Sequence, residues 1–271
     1  MVPRTPGGGL KSWLAHPLAR NVGLDDVAAT ERHRAIIAQK PFLKRLYAEW
    51  YGRMAAGLPA GEQPVLEVGS GAGFLGDLVP GLVTSDLVPV DGVRVVLDAR
   101  HLPFGAGSLR AIVMTNVFHH ISRPRAFLAE AARVVRPGGA VVMLEPWLSW
   151  WSRAIYGSFH DEPFDPRAER WEFTEGGRLT SANGALPWIV FERDRAAFER
   201  EFPEWRVDAV DLSVGAPFRY LLSGGVSLRG LTPAASFGVW RLLERALAPF
   251  MSRWAMFALI RLTRVVPRPL P

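Results

Sequence analysis

The chain has 271 residues, of which 49% are hydrophobic and 21% charged, the composition of a globular protein with room for a sizeable core. It contains no cysteine, which excludes disulfides, thiolate zinc sites and cysteine nucleophiles. No stretch reaches the roughly 18 apolar residues of a membrane span, and the start of the chain lacks the apolar run of a signal peptide. We therefore expect a cytoplasmic protein.

The net charge of +6 is concentrated at the end of the chain. From Arg229 onward there are seven arginines and a single acid, Glu244, so the preceding part carries no net charge. This pattern differs from that of a nucleic-acid-binding domain, in which basic residues spread over one face. We therefore expect a partner other than a nucleic acid.

The first segment, residues 1–59, is predicted to be helical. After a start rich in proline and glycine, apolar side chains between residues 25 and 56 recur at three- and four-residue spacing, as at Leu43, Leu46 and Trp50. Such spacing is typical of helices that bury one face against a core.

The second segment, residues 60–146, has the pattern of an α/β domain. It contains five apolar runs of strand length: PVLEV, GLVTSD, VRVVLD, LRAIVMTN and AVVMLE. An amphipathic helix, PRAFLAEAARVV, precedes the last run and is stopped by a Pro-Gly-Gly sequence. Strands buried on both faces and joined by helices are typical of a mostly parallel sheet flanked by helices.

The third segment, residues 147–235, is less regular and is predicted to hold a substrate lid and the completion of the sheet. Residues 191–203 have helical spacing, and residues 205–214 alternate like a strand at a sheet edge. The segment is rich in tryptophan, and aromatic side chains line pockets as well as cores. We expect substrate contacts from the three tryptophans that directly follow the fifth strand: Trp147, Trp150 and Trp151.

The last segment, residues 236–271, is predicted to form two helices broken near Pro249. In the second of them, MSRWAMFALIRLTRVV, the arginines fall on one side of an ideal helix and the rest is apolar. A basic amphipathic helix of this kind either lies on an anionic membrane or packs on the body of the domain. The sequence does not distinguish these two arrangements. Peripheral contact with the inner face of a membrane is therefore a hypothesis.

A carboxylate interrupts the first apolar strand just before a glycine-rich turn, in the sequence VLEVGSGAGFLG. Gly71, Gly73 and Gly76 formally satisfy the dinucleotide pattern G-x-G-x-x-G, which is weak when it stands alone. Glu67 argues against a dinucleotide, because a buried anion repels a pyrophosphate and favours a cationic ligand. The alternative is that Glu67 only accepts hydrogen bonds from the amides of the turn.

Five stretches, taken in order, resemble the class I S-adenosylmethionine-dependent methyltransferases. PVLEVGSGAGFL resembles the first motif of that family, VTSD its second strand, and LDARHLPF its adenine-binding segment. MTNVFHHI resembles the fourth strand with its turn, and AFLAEAARVVRPGGAVVMLEP the last helix and fifth strand. The resemblance implies a Rossmann-like fold and S-adenosylmethionine as the cofactor. That cofactor carries a sulfonium and an α-ammonium group, which suits a carboxylate at Glu67.

The resemblance also implies roles for individual residues. It implies that Asp86 binds the ribose hydroxyls and that Asp98 binds the adenine amino group. It also implies that Ala99 and Leu102 form the walls of the adenine pocket. The implied cofactor-binding residues are Glu67, Gly69, Ser70, Gly71, Gly73, Asp86, Leu87, Asp98, Ala99, Leu102 and Asn116. Only the short stretch LVPVDG follows Asp86, so Asp91 is a rival for the ribose.

Three histidines are candidates for catalysis. Methyl transfer needs alignment of donor and acceptor and, for a protonated acceptor, removal of a proton. His119 and His120 lie in the turn that the resemblance puts beside the methyl donor, where each either acts as a base or simply packs. His160 lies in a second polar cluster, FHDEP. A metal bound by this cluster together with His119 or His120 lacks supporting ligand spacing, so we expect none.

The sequence thus predicts a methyltransferase that acts on oxygen or nitrogen of a small-molecule or amphipathic acceptor, lipid-linked acceptors included. The main alternative is a non-catalytic protein of the same fold that binds a partner or a membrane through its C-terminal helices. A nucleic-acid methyltransferase is disfavoured by the terminal position of the charge, and an NAD-dependent oxidoreductase by Glu67.

Overall fold

A seven-stranded sheet forms the centre of the computed structural model, which describes residues 14–19, 27–159, 162–177 and 181–266. Its strands are β1 (Val65–Val68), β2 (Val83–Asp86), β3 (Val95–Val96), β4 (Leu109–Thr115), β5 (Val135–Pro146), β6 (Trp205–Asp211) and β7 (Phe257–Arg264). They pair in the order β3-β2-β1-β4-β5-β7-β6, with β7 antiparallel to both of its neighbours and the other pairs parallel. The predicted α/β fold with a mostly parallel sheet is confirmed.

Helices flank the sheet. The α-helices of the described residues are α1 (Val27–Gln39), α2 (Pro41–Ala56), α3 (Pro124–Val134), α4 (Trp150–Phe159), α5 (Leu186–Trp188), α6 (Arg195–Glu201), α7 (Arg219–Ser223), α8 (Phe237–Ala246) and α9 (Met251–Trp254). The predicted N-terminal helical stretch is divided because Pro41 has no N–H to continue α1, and it starts α2 instead. A π-helical turn, Ile189–Arg193, joins α5 to α6 and with α6 accounts for the helix predicted over 191–203.

Alternate residues of the central strands pack against different helices. On β4, Ile112 and Met114 belong to the apolar cluster that includes α3, whereas Ala111 and Val113 belong to the cluster that includes α2. All four side chains are fully buried. A strand covered on both faces has a continuous apolar sequence, and this is why the sequence indicated these strands.

The order of the strands reverses between β1 and β4, since β1 pairs with β2 on one side and with β4 on the other. Open α/β sheets bind ligands at the carboxyl ends of the strands at such a reversal. The turns that follow Val68 and Thr115 lie at this position. The stretch between β2 and β3 contains no helix, as predicted.

The predicted final helix is wrong. The one-turn helix α9 ends at Trp254, and the chain then enters β7, which lies between β5 and β6. Ile260 is fully buried, and the next residue, Arg261, forms an ion pair with Asp208 of β6. Backbone pairing on both sides of β7 outweighs the helical spacing of the arginines. A basic amphipathic helix at the end of the described chain is therefore excluded.

The helix predicted before Pro249 is present as α8. It exposes Val239, Leu242 and Leu243, with Arg245 also exposed on the same helix. Within the described ranges, no helix has both the length and the apolar character that crossing a bilayer requires.

Candidate functional site

The glycine turn after β1 is too crowded for larger side chains. Gly69 (φ 67°) and Gly71 (φ 42°) adopt the left-handed conformation that favours glycine. A Cβ on Gly69 would lie 2.5 Å from Cγ2 of Val117, and one on Gly73 would lie 2.9 Å from the Tyr51 hydroxyl. The turn therefore needs glycine to pack against the chain that follows β4 and against α2.

The amides of this turn are bonded within the protein. The N–H of Ser70 donates to the Ser85 carbonyl at 2.7 Å, and the N–H of Gly73 donates to the Ser70 carbonyl at 2.7 Å. The N–H of Gly71 donates to the carboxylate of Asp86 at 3.2 Å. A 3₁₀ turn of three residues, rather than an α-helix, follows. Since a pyrophosphate binds to free amides at a helix N-terminus, this turn does not suit a dinucleotide.

Glu67 lies beneath the turn, and its carboxylate is not used by the three turn amides, which bond elsewhere. The side chain is buried, with Oε1 3.5 Å from the position of a Cβ on Gly73. Burial raises the pKa of Glu67 to about 7. A cation bound beside Glu67 would favour its ionised form. A hydrogen bond with the side chain of Ser70 partly offsets the rise in pKa, so Glu67 contacts the turn and remains the predicted anion beside a cationic cofactor.

A cleft of about 320 Å³, called the donor cleft below, opens at the carboxyl ends of β1, β2 and β4. Its lining includes seven of the predicted cofactor residues: Gly69, Gly71, Asp86, Leu87, Asp98, Ala99 and Asn116. Glu67, Ser70 and Gly73 line an adjoining cavity. The side chain of Leu102 is buried in the core and is not part of the lining of the donor cleft.

The donor cleft distinguishes between the two aspartates proposed for the ribose. Asp86 is buried in the lining, where its two carboxylate oxygens accept the N–H groups of Gly71 and Leu87. Asp91 is exposed and outside the lining, and its backbone carbonyl accepts a hydrogen bond from Arg34 at 2.7 Å. Asp86 is therefore part of the lining of the donor cleft, whereas Asp91 is not.

The adenine end of the donor cleft contains an ion pair that the sequence did not predict. Arg100 donates from Nε to the Asp98 carboxylate at 3.0 Å and from Nη2 at 2.7 Å, and it also pairs with Glu175. The hydrogen bonds from Arg100 hold the pKa of Asp98 below its usual value. Glu175, from the predicted lid, lines the cleft together with Arg100. The carboxylate of Asp98 is thus fixed as an ionised acceptor at this end.

Asn116 lies where the donor cleft meets the adjoining cavity. Its φ of 56° is left-handed, a conformation that asparagine adopts more readily than most residues. Its Oδ1 is buried, and no hydrogen-bond donor reaches that atom within the part of the chain that the structure describes. A buried acceptor without a donor costs free energy. An ammonium group of a ligand at this point would recover that free energy, so the residues present fit S-adenosylmethionine.

The adjoining cavity, called the inner cavity below, has a volume of about 220 Å³. It is lined by all four tyrosines of the chain: Tyr47, Tyr51, Tyr156 and Tyr220. Burial raises the pKa of each, so their hydroxyls stay neutral near pH 7. The two cavities share lining residues, which include Asn116 and His120. They are therefore neighbouring compartments, and ligands bound in each would approach one another at these residues.

His119 is held between two carboxylates. Its Nδ1 lies 2.6 Å from Oε2 of Glu145, and its Nε2 lies 3.5 Å from Oε2 of Glu162. Burial by itself lowers the pKa of His119, but hydrogen bonds to Glu145 and Glu162 outweigh burial and raise the pKa to about 9. In this arrangement His119 is protonated at neutral pH and is not a neutral base, in contrast to one of its two predicted roles.

His120 has a different environment. Its ring centroid lies 4.1 Å from that of His119, and its Nδ1 lies 3.3 Å from the Ser181 carbonyl. Because a carbonyl can only accept, this contact places a hydrogen of His120 on Nδ1. The Nε2 atom lies 3.9 Å from Oε2 of Glu162. His120 also lines both cavities, so among the predicted bases it lies where the two meet.

Glu145 was not among the predicted site residues, although the sequence carried a signal for it. It is the only acid in its apolar run, as Glu67 is in the first run. In the structure Glu145 is fully buried, and its Oε1 accepts the N–H groups of Val117 and Phe118 at 2.8 and 2.7 Å. It thereby fixes the turn that carries His119 and His120.

The remaining candidates are His160 and the three tryptophans that follow β5. His160 lies outside the described residues. Trp147 is buried in the core, Trp150 is 70% exposed, and Trp151 packs against Trp254. None of these three predicted substrate contacts lines the donor cleft or the inner cavity. Substrate contacts from these three tryptophans therefore stay a prediction without support from the two cavities.

Comparison with known proteins agrees with this geometry. The family described as "Methyltransferase domain" matches residues 66–143, the stretch from β1 to β5. Residues 66–143 form a class I, S-adenosylmethionine-dependent methyltransferase domain. The predicted family and cofactor are confirmed.

Two curated relatives match part of the chain. The chain is 31% identical over 98 residues to a malonyl-[acyl-carrier protein] O-methyltransferase of Hahella chejuensis, covering 30% of this chain and 35% of that enzyme. It is 36% identical over 76 residues to a demethylmenaquinone methyltransferase of Beutenbergia cavernae, covering 27% of this chain and 31% of that enzyme. The match thus spans well under half the length of each relative.

A solved structure extends the likeness to the remaining elements. It is the complex between the Haloferax volcanii Trm112 methyltransferase activator and a methyltransferase, and it superposes with a TM-score of 0.50 at 15% identity. The superposition covers 89% of this chain and 97% of that chain. At this identity the likeness concerns the fold alone.

Proposed function

We propose that this chain transfers the methyl group of S-adenosylmethionine to an oxygen or nitrogen atom of a small-molecule acceptor held in the inner cavity. The observation that carries the proposal is that the two cavities share Asn116 and His120 in their linings. A donor in the cleft and an acceptor in the inner cavity would meet there, as an in-line displacement requires.

The residues of the donor cleft suit the charges of the donor. Asp86 and Asp98 offer carboxylate acceptors for the ribose hydroxyls and the adenine amino group. Glu67 and the Oδ1 of Asn116 lie toward the inner cavity, where the cationic part of the donor would bind. One end of the donor cleft thus carries acceptors for the neutral adenosine. The end toward the inner cavity carries the groups that would stabilise the positive charge of the donor.

The residues of the inner cavity suit an acceptor of limited size with polar atoms. The rings of the four tyrosines provide apolar walls, and their neutral hydroxyls provide hydrogen bonds. Tyr156, for example, already donates to the Met256 carbonyl at 2.9 Å. The exposed apolar side chains of α8 favour an amphipathic acceptor or peripheral membrane contact as a second possibility.

The reaction would use the cluster of His119, His120 and Glu162 to bind the released proton. S-adenosylmethionine held by Asp86, Asp98 and Glu67 would supply the methyl group to a lone pair of the acceptor, and neutral S-adenosylhomocysteine would remain. The proton of the acceptor then passes to Nε2 of His120 or to the carboxylate of Glu162, which face one another.

A cavity-filling variant tests the function. With S-adenosylmethionine labelled in the methyl group and a mixture of small-molecule acceptors, the protein should produce labelled product. Val226 lines the inner cavity but not the donor cleft, so Val226→Trp should slow this transfer by at least about fivefold, roughly 1 kcal/mol, while the donor still binds. Val239→Trp, a change at an exposed position of α8, is the matched control. Transfer that is undiminished in Val226→Trp would reject the inner cavity as the acceptor site.

A further inference from the structure

We propose that His119, His120 and Glu162 form a binding site for one divalent first-row transition-metal ion at the boundary of the donor cleft and the inner cavity. The three side chains come from two separate parts of the chain, the turn after β4 and the segment after α4. Their potential ligand atoms all lie within 4.8 Å of one another. The proposal goes beyond the methyl-transfer function and does not depend on it.

The distances are close to those of a metal site. The Oε2 of Glu162 lies 3.5 Å from Nε2 of His119 and 3.9 Å from Nε2 of His120. With metal–ligand bonds of about 2.0–2.2 Å, neighbouring ligand atoms of a tetrahedral ion lie roughly 3.4 Å apart. Glu162 is partly exposed, with 20% of its side-chain surface accessible. A shift of this side chain by a few tenths of an ångström would bring its Oε2 to that spacing from Nε2 of His120.

The outer hydrogen bonds of both histidines are those that metal ligands use. Nδ1 of His119 faces the carboxylate of Glu145, and Nδ1 of His120 faces the carbonyl of Ser181. Partners that only accept keep the hydrogen on Nδ1 and direct the Nε2 lone pair toward the metal. The same tautomer therefore suits both rings as metal ligands, with Nε2 of each on the side of Glu162. An ion bound here would displace the proton that His119 otherwise holds.

The three candidate metal ligands indicate which class of ion the site would bind. Two imidazoles and one carboxylate suit zinc, iron, cobalt or manganese, whereas calcium and magnesium prefer sites built from oxygen atoms. Three protein ligands leave coordination positions open toward the inner cavity, where an oxygen of the acceptor could bind. A coordinated hydroxyl loses its proton more readily. Metal binding and direct proton uptake are thus alternatives for the same lone pairs.

The test is calorimetry with Zn²⁺ on the full chain, prepared without an affinity tag, treated with a chelator and free of donor. We expect one Zn²⁺ per chain, and binding weaker by about tenfold or more in Glu162→Gln and in His120→Gln. His101→Gln removes an exposed histidine outside the cluster and should leave the affinity unchanged. Co²⁺ added instead should give a visible absorption band that Zn²⁺ abolishes.

Two results would overturn the proposal. One is no stoichiometric binding of Zn²⁺ or Co²⁺ by the wild-type chain, and the other is equal binding by Glu162→Gln with an unchanged unfolding midpoint. In either case the cluster binds a proton only. Because S-adenosylmethionine binding is measured separately on the metal-free protein, failure of the metal site leaves the proposed methyl transfer standing.

Discussion

Replacing Glu145 with alanine should lower the free energy of unfolding by at least about 3 kcal/mol. The carboxylate is fully buried and bonds to His119 and to the N–H groups of Val117 and Phe118. Its removal leaves two buried N–H groups without acceptors, each of which costs about 1–3 kcal/mol. It also removes the main partner of the buried His119. Urea denaturation of both proteins measures the difference.

Glu199→Ala is the matched control for this stability measurement. Glu199 forms an ion pair with Arg195 one helical turn away on α6, and both side chains are well exposed. Exposed pairs of this kind contribute about 0.3–0.5 kcal/mol. A loss in Glu145→Ala no greater than that in Glu199→Ala would contradict the role of Glu145 as the support of the histidine turn.

Asp86→Ala should weaken the binding of S-adenosylmethionine by at least about tenfold, or roughly 1.4 kcal/mol. Asp86 lines the donor cleft and is the carboxylate that reaches Gly71 of the glycine turn. The substitution removes the acceptor for the ribose hydroxyls and loosens the turn that packs against the donor. Calorimetry with the purified variant measures the affinity.

Asp91→Ala removes the rival aspartate and serves as the control for Asp86→Ala. Since Asp91 is exposed and does not line the donor cleft, its removal should change the affinity by less than about twofold, well under 1 kcal/mol. If Asp91→Ala lost more affinity than Asp86→Ala, the assignment of the ribose site would be wrong.

The sheet was predictable from the sequence where its strands are buried on both faces. β1, β4 and β5 contain mostly apolar runs because helices cover them on either side. β7 was not predictable in the same way. Arg253, Arg261 and Arg264 happen to fall at helical spacing, and nothing local reveals that β5 and β6 supply pairing partners on both sides. Pairing with distant parts of the chain made this segment a strand rather than a helix. The spacing of residues within the segment carries no information about that pairing.

The candidate site was predictable where a motif fixes a backbone position. Gly69 and Gly71 belong to the motif of the turn after β1, and Asp86 belongs to the motif at the end of β2. Arg100 and Glu145 could not be assigned, because their roles depend on which side chains tertiary packing brings near. Arg100 reaches both Asp98 and a glutamate far along the chain, and the partner of Glu145 lies on the turn after the neighbouring strand.

The central claim is that the donor cleft binds a positively charged methyl donor, with Glu67 as the buried anion. Its most direct test is calorimetry of S-adenosylmethionine and NAD at about pH 6 and about pH 8, on the wild type and on Glu67→Gln. Because burial raises the pKa of Glu67 to about 7, a cationic donor must displace its proton below that pH. The affinity should therefore fall as the pH drops through about 7, by up to about tenfold per unit.

Glu67→Gln should bind the donor more weakly at the higher pH and should lose this pH dependence, and NAD should not bind to either protein. Binding of NAD in preference to S-adenosylmethionine, or a donor affinity that does not change with pH in the wild type, would contradict the account.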